Sequence, residues 1–134
     1  MNAIQLLFSN GARSPLFETS NAYKYSLKSF EIDPTKEVRY VRMVIKYGIY
    51  YNGLEFFDEN EESIVKQVWR LSGSWTEKQE IPPGQHIIGL KCDVATETAS
   101  VNHFSFLLGE VGKAEVVGEL RFPARQVYPT YQEF

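Results

Sequence analysis

The stretch YVRMVIKYGIYYNGLEFF, residues 40–57, carries the clearest folding signal in this sequence. In its first half, Val41, Met43 and Ile45 alternate with the residues between them, and this period of two is typical of a strand with one buried face. Gly48 interrupts the alternation, and a second alternating run follows it. The stretch therefore predicts a β-hairpin.

Strand-sized apolar runs recur along the rest of the chain and are separated by turn residues. Asn10-Gly11 and Pro82-Pro83-Gly84 are the strongest turn signals. No segment shows a sustained helical spacing of apolar residues, so the sequence predicts an all-β sandwich, barrel or prism. The further runs that we predict to be strands are residues 4–8, 64–71, 75–81, 85–93, 101–108 and 116–122.

Length and composition limit the class of protein. The chain has 134 residues, which suits a single domain over residues 1–134, and its 43% hydrophobic residues indicate a packed core. A net charge of −3 disfavours a nucleic-acid partner, since phosphate binding needs a basic surface. Cys92 is the only cysteine, so no disulfide can form within the chain, and a reducing compartment is expected.

The sequence also carries a prediction about location. The first eight residues, MNAIQLLF, lack the positive charge of a secretory signal, and no apolar run approaches the ~20 residues that a membrane-spanning helix needs. We therefore expect a soluble, cytoplasmic protein without membrane insertion.

A repeat of about 50 residues runs through the chain. Asn2, Asn52 and Asn102 begin similar motifs and are 50 residues apart in each case, while residues 30–34 and 79–83 form a second anchor 49 apart. The repeat predicts three antiparallel sheets about a pseudo-threefold axis, the third lacking one strand. That sheet would have an exposed edge, through which the protein could form a homo-oligomer. The side chains predicted to fill the shared core are Leu6, Phe8, Leu54, Phe56, Phe104 and Phe106.

The hairpin stretch, together with IPPGQHIIGLKCDV at 81–94 and VNHFSFLLG at 101–109, resembles the jacalin-like lectin family. The resemblance implies a β-prism of three Greek-key sheets, here with a shifted strand order, and carbohydrate binding. The sugar loop of the family has the form G-x-x-x-D, and its place is taken here by Gly48, Ile49, Tyr50, Tyr51 and Asn52.

The resemblance implies a role for each part of this loop. The backbone N–H groups of Ile49 and Tyr50 and the side-chain oxygen of Asn52 would bind sugar hydroxyls, and an exposed tyrosine would pack on the sugar ring. Asn52 replaces the family's aspartate and is the weaker acceptor. Because asparagine occupies the equivalent position in each repeat, Asn52 could instead cap a strand or turn. The alternative function is then a β-prism that serves as a protein-interaction or assembly module.

Catalytic and metal-binding residues are not indicated. His86 is expected on the same strand face as Ile88, Leu90 and Cys92. A histidine and Cys92 could form part of a zinc site, or Cys92 could be a thiol nucleophile with His86 or His103 as its base. Packing inside the core explains these residues better, and no further ligand or catalytic group has matching spacing. We therefore expect neither an enzyme nor a cofactor or metal, and the expected partner is a glycan or a protein.

Overall fold

The computed structural model describes residues 3–8, 11–14, 17–18, 32, 36–46, 50–95 and 100–122. These residues form strands and turns without a helix, so nothing in this part of the chain has the long apolar helix that would be needed to cross a bilayer. The strands are β1 Ala3–Ile4, β2 Phe17–Glu18, β3 Tyr40–Lys46, β4 Tyr50–Phe57, β5 Ser63–Val68, β6 Ser74–Trp75, β7 Gln79–Glu80, β8 Gln85–Ala95, β9 Ser100–Glu110 and β10 Gly118–Arg121.

Every strand pair in the described part is antiparallel, and the predicted all-β class is confirmed. The largest sheet has the order β5-β4-β3-β6, and β7 pairs with the other end of the same edge of β3. A second sheet has the order β10-β9-β8, and β1 pairs with β2 in a short ribbon. The described strands are thus divided into groups of five, three and two, and the pseudo-threefold β-prism stays a prediction.

The predicted hairpin is confirmed as β3 and β4. Val41 lies opposite Phe56 and Met43 lies opposite Leu54, so the apolar residues of both strands share one face. That face is almost fully buried, since Val41 and Met43 have no exposed surface. The alternation at residues 41–45 therefore predicted the inward face correctly, because side chains of a strand point to opposite sides in turn.

The five-stranded and three-stranded sheets pack face to face through aromatic side chains. The ring of Phe56 in β4 lies 5.8 Å from that of Phe106 in β9, centroid to centroid, and Phe106 meets Phe122 edge-on at 6.4 Å. The buried cluster around them is completed by Val41, Met43, Ile45, Tyr51, Leu54, Ile81, Leu90, Leu108 and Leu120. Such tilted and edge-on ring pairs are the favourable geometries for aromatic contacts.

Most of the predicted core side chains that the structure describes lie in or against this cluster. Leu54, Phe56 and Phe106 are buried in it, and Leu6 packs against it while partly exposed. Phe8 is half-buried, and the side chain of Phe104 lies outside the described part.

Strand β8 differs from its predicted phase. Ile87 lies opposite Leu108 and Leu90 lies opposite Phe106, so one extra residue, Ile88, is inserted between them as a bulge. The prediction that His86, Ile88 and Leu90 share a face is therefore wrong, because the bulge places His86 on the side opposite to Leu90. A second register shift lies between Lys91 and Asp93.

Truncation of Phe106 tests the packing between the sheets. We expect Phe106→Ala to lower the free energy of unfolding by about 3–5 kcal/mol, because it removes a ring that is 1% exposed and leaves a cavity between two sheets. Urea denaturation would measure the change. Leu7→Ala is the control, since Leu7 is 61% exposed, and a similar loss in both variants would contradict the packing.

Candidate functional site

The predicted sugar loop leads from β3 into β4 at one end of the five-stranded sheet. Gly48 and Ile49 lie outside the described residues, as does the side chain of Tyr50, whose backbone begins β4. Tyr51 and Asn52 are buried, with 1% and 2% of their surface exposed. Of the five predicted residues, the structure thus places two side chains, and both are inside the protein.

Asn52 binds the segment that leaves β5. Its side-chain nitrogen donates a hydrogen bond to the backbone carbonyl oxygen of Ser72 at 2.9 Å. The backbone carbonyl oxygen of Asn52 accepts from the backbone N–H groups of Trp69 and Arg70 at 3.0 and 3.3 Å. The indole N–H of Trp69 donates to the carbonyl oxygen of Tyr51 at 2.8 Å. Residues 69–73, which we call the braced turn, are therefore attached to the start of β4 by four hydrogen bonds.

The far end of the braced turn is fixed by close backbone contact. Gly73 has a φ of +106°, and a Cβ atom at this position would lie 2.9 Å from the carbonyl oxygen of Ile45. Any side chain would be strained by the backbone conformation and would collide with β3 as well. Glycine therefore lets the chain pass directly over β3 before it enters β6.

The tip of the braced turn faces solvent. Leu71 is 100% exposed and Arg70 is exposed beside it. A single exposed leucine is ordinary on a protein surface, but this one lies on a turn that four hydrogen bonds attach to β4. The turn therefore presents one apolar and one cationic side chain to solvent from a hydrogen-bonded backbone.

The position of Asn52 matches the alternative interpretation of its sequence pattern. Its amide nitrogen is used as a donor to Ser72 and its side chain is shielded from water, so it acts as a brace for the turn. Ser72 Oγ lies 3.4 Å from the same nitrogen and adds a weak second contact. A buried polar side chain needs such partners because leaving it unpaired is costly.

The face of the five-stranded sheet that points away from the core carries stacked cations, which the sequence analysis did not predict. The guanidinium carbon of Arg42 lies 4.1 Å from the ring centroid of Trp75 and 5.5 Å from that of Phe57. Lys78 Nζ lies 4.2 Å from the Phe57 ring. Arg42 and Glu55 lie opposite each other in the hairpin, and this pairing of charges could have been found from the sequence. Trp75 and Lys78 could not, because they come from segments that are distant in the sequence.

Glu55 is the charged group at the centre of this face. Its side chain is 6% exposed, and its Oε1 accepts hydrogen bonds from Nε and Nη2 of Arg42 at 2.9 and 2.7 Å. Burial raises the pKa of Glu55, but hydrogen bonds from Ser63 and Arg42 and the charges of Arg42 and Lys66 outweigh it. The pKa of Glu55 is therefore lowered, and the carboxylate stays ionised in the folded protein.

The described surface also has an open depression of about 350 Å³ near the β7–β8 turn. It is lined by Glu37, Arg39, Tyr40, Glu59, Glu80, Pro83 and Gly84. The guanidinium group of Arg39 donates hydrogen bonds within the protein, to Glu37 Oε1 and to the backbone carbonyl oxygens of Gln85 and Ile81. The described residues contain no group of three or more His, Cys, Asp or Glu arranged to hold a metal ion, and the side chains of Cys92 and His103 lie outside them.

Comparison with known proteins gave no match: no family model, no curated protein and no solved structure is significantly similar to this chain.

Replacing the brace tests the role of Asn52. We expect Asn52→Asp to destabilise the protein by about 1–3 kcal/mol at pH 7, because a buried carboxylate cannot donate to the carbonyl oxygen of Ser72 and would face it as a second acceptor. Burial would raise the pKa of the new carboxyl group, so stability should recover as the pH falls and the protonated acid can donate. Urea denaturation at several pH values measures both effects. Asn60→Asp, in the exposed turn, is the control, and an equal loss there would refute the brace.

The ion pair on the outer face predicts a pH dependence. The pKa of Glu55 is lowered in the folded state, so ionised Glu55 adds to the free energy of unfolding at pH values above its ordinary pKa of 4.5. This added stability is lost as the pH falls through the lowered pKa of the folded state. Glu55→Gln should therefore be less stable than the wild type at pH 7, and the difference should vanish in acid. Thermal unfolding from pH 7 to pH 2 measures this. The exposed Glu115→Gln is the control, and a Glu55→Gln difference that is independent of pH would contradict the argument.

Proposed function

We propose that this chain is a protein-interaction module that docks through its braced turn. The observation that carries the proposal is the contrast within residues 69–73. Partly buried hydrogen bonds to Asn52 and Tyr51 fix the backbone, while Leu71 at the tip is fully exposed. A loop that is already ordered before binding loses little conformational entropy when a partner binds it.

The side chains at the tip indicate the chemistry of the partner. Leu71 would enter an apolar pocket, and the guanidinium group of Arg70 would pair with a carboxylate at the rim of that pocket. Val68, at the end of β5, is 39% exposed and extends the apolar surface on the same segment. We therefore expect a protein surface with a small apolar cavity and a neighbouring acidic residue.

The β-prism and its carbohydrate site belong to the proposal as the competing function. The prism is supported by the shared core, because Ile4 and Leu6 near the short ribbon pack against the same cluster as the two larger sheets. A sugar site at Gly48 to Asn52 would need an accessible acceptor, whereas Asn52 is buried and donates to Ser72. The geometry therefore favours the interaction function over carbohydrate binding.

A competition experiment tests the docking turn. Wild-type chain is immobilised and captures proteins from an extract of the cells in which it occurs naturally. The release of the captured proteins by excess free chain is then measured. We expect Leu71→Ser to compete at least about tenfold more weakly than the wild type, because the apolar anchor is lost. Val111→Ser removes a valine that is 75% exposed elsewhere and should compete like the wild type.

The competing function is tested on the same protein. If Leu71→Ser competes as well as the wild type, the braced turn is not the docking element. If the backbone NMR signals of residues 50–52 shift on titration with common hexoses, the carbohydrate function is correct and the interaction function fails.

A further inference from the structure

Strand β5 forms one edge of the five-stranded sheet. Within the described residues it pairs with β4 alone, and no described strand pairs with its second row of backbone N–H and C=O groups. Such an edge is a template on which another strand can form a ladder. β5 has six residues, which is long enough to pair.

The two ends of β5 carry opposite charge. The turn before the strand, residues 59–62, contains Glu59, Glu61 and Glu62, all exposed. The turn is held by Asp58, whose Oδ1 accepts hydrogen bonds from the backbone N–H groups of Asn60 and Glu62. The second half of the strand and the segment after it expose Lys66 and Arg70.

We propose that β5 pairs with β5 of a second copy of this chain, antiparallel and about a twofold axis. In that orientation the acidic turn of each copy lies beside Lys66 and Arg70 of the other, so opposite charges meet at both ends of the ladder. Parallel pairing would place the two acidic turns side by side. A twofold interface uses the same patch on both copies, which a strand with opposite charges at its ends satisfies.

The middle of the strand sets the register. If the axis passed through Lys66, the two lysines would face each other, and like charges directly opposite destabilise a sheet. An axis through Val65 avoids this contact and continues the half-buried apolar face from one copy to the other. The pairing joins the five-stranded sheets of two copies into one.

The interaction is expected to be weak and sensitive to salt. A ladder of six residues buries less surface than a standard protein interface, and the charged residues at its ends are exposed. Added salt screens such charges, since the Debye length falls from about 10 Å at 0.1 M to about 3 Å at 1 M. The ladder shares Arg70 and Val68 with the proposed docking surface, but it does not need Leu71 at the tip of the braced turn.

Charge reversal tests the proposal on the full chain. Sedimentation equilibrium at 0.05 M salt should show a reversible monomer–dimer equilibrium for the wild type, shifted toward monomer at 1 M. The variant Lys66→Glu with Arg70→Glu has acidic groups at both ends of the strand, and Glu59→Lys with Glu62→Lys has basic groups at both ends. For each variant alone, the dissociation constant of the dimer should rise at least about tenfold. An equimolar mixture of the two variants should form a heterodimer.

The mixture also controls for folding, because chains that had lost the fold would not recover a dimer. Lys66→Glu could disturb the sheet face that carries Arg42 and Glu55. In that case the single variants Arg70→Glu and Glu59→Lys, whose sites lie outside the strand, are tested alone and mixed in the same way. Glu110→Lys with Lys113→Glu reverses an exposed ion pair at the β9–β10 turn and should leave the dimer unchanged.

Several results would overturn the proposal. A wild-type chain that is monomeric at millimolar concentration would do so, as would a dimer that survives both reversals or reversed variants that fail to associate when mixed. Slow hydrogen exchange in a monomer of those β5 amides that do not bond to β4 would show that a segment of the same chain covers the edge instead. Leu71→Ser should still dimerise, so loss of docking and loss of pairing are distinguished.

Discussion

The rest of the described structure depends on the burial of β4 from both sides. Residues 51–58 are all buried, although three of them, Asn52, Glu55 and Asp58, are polar or charged. A buried polar side chain must find partners, and each of these organises a different neighbour. Asn52 holds the braced turn, Glu55 orders the stacked cations through Arg42, and Asp58 closes the acidic turn before β5.

These three contacts explain why the surface around β4 is well defined although its residues belong to turns and edges. The braced turn and the acidic turn lie at opposite ends of β5. The first is fixed by the backbone of Tyr51 and by Asn52 in β4, and the second by Asp58, which directly follows β4. A strand edge between two fixed turns has a defined charge pattern and little freedom to rearrange. This is the physical basis for the proposal that this part of the molecule takes part in a protein interaction.

The sequence predicted the inward faces of the hairpin because a period of two depends only on local geometry. It did not predict that Val44, Glu55 and Phe57, on the other face, are buried as well, because Trp75 and the lysines that cover them come from distant segments. It also missed the bulge at Ile88, since an inserted residue leaves no mark in an apolar run that continues on both sides. Of the predicted sugar loop, the side chains that the structure describes are buried, and the role of Asn52 depends on Ser72, twenty residues later, which spacing alone does not reveal.

The hydrogen bond from Asn52 also has a bearing on chemical ageing. Asn52 is followed by Gly53, and in a flexible chain an asparagine before a glycine loses its amide as the next backbone nitrogen attacks the side-chain carbonyl carbon. In the native strand, extended geometry and the bond to Ser72 oppose that attack, so the reaction proceeds mainly in molecules that have opened. The product is an acid that cannot restore the bond, and each opening therefore carries a chance of irreversible loss. The fraction of molecules that have lost the amide of Asn52 therefore increases with the number of times that the protein has opened.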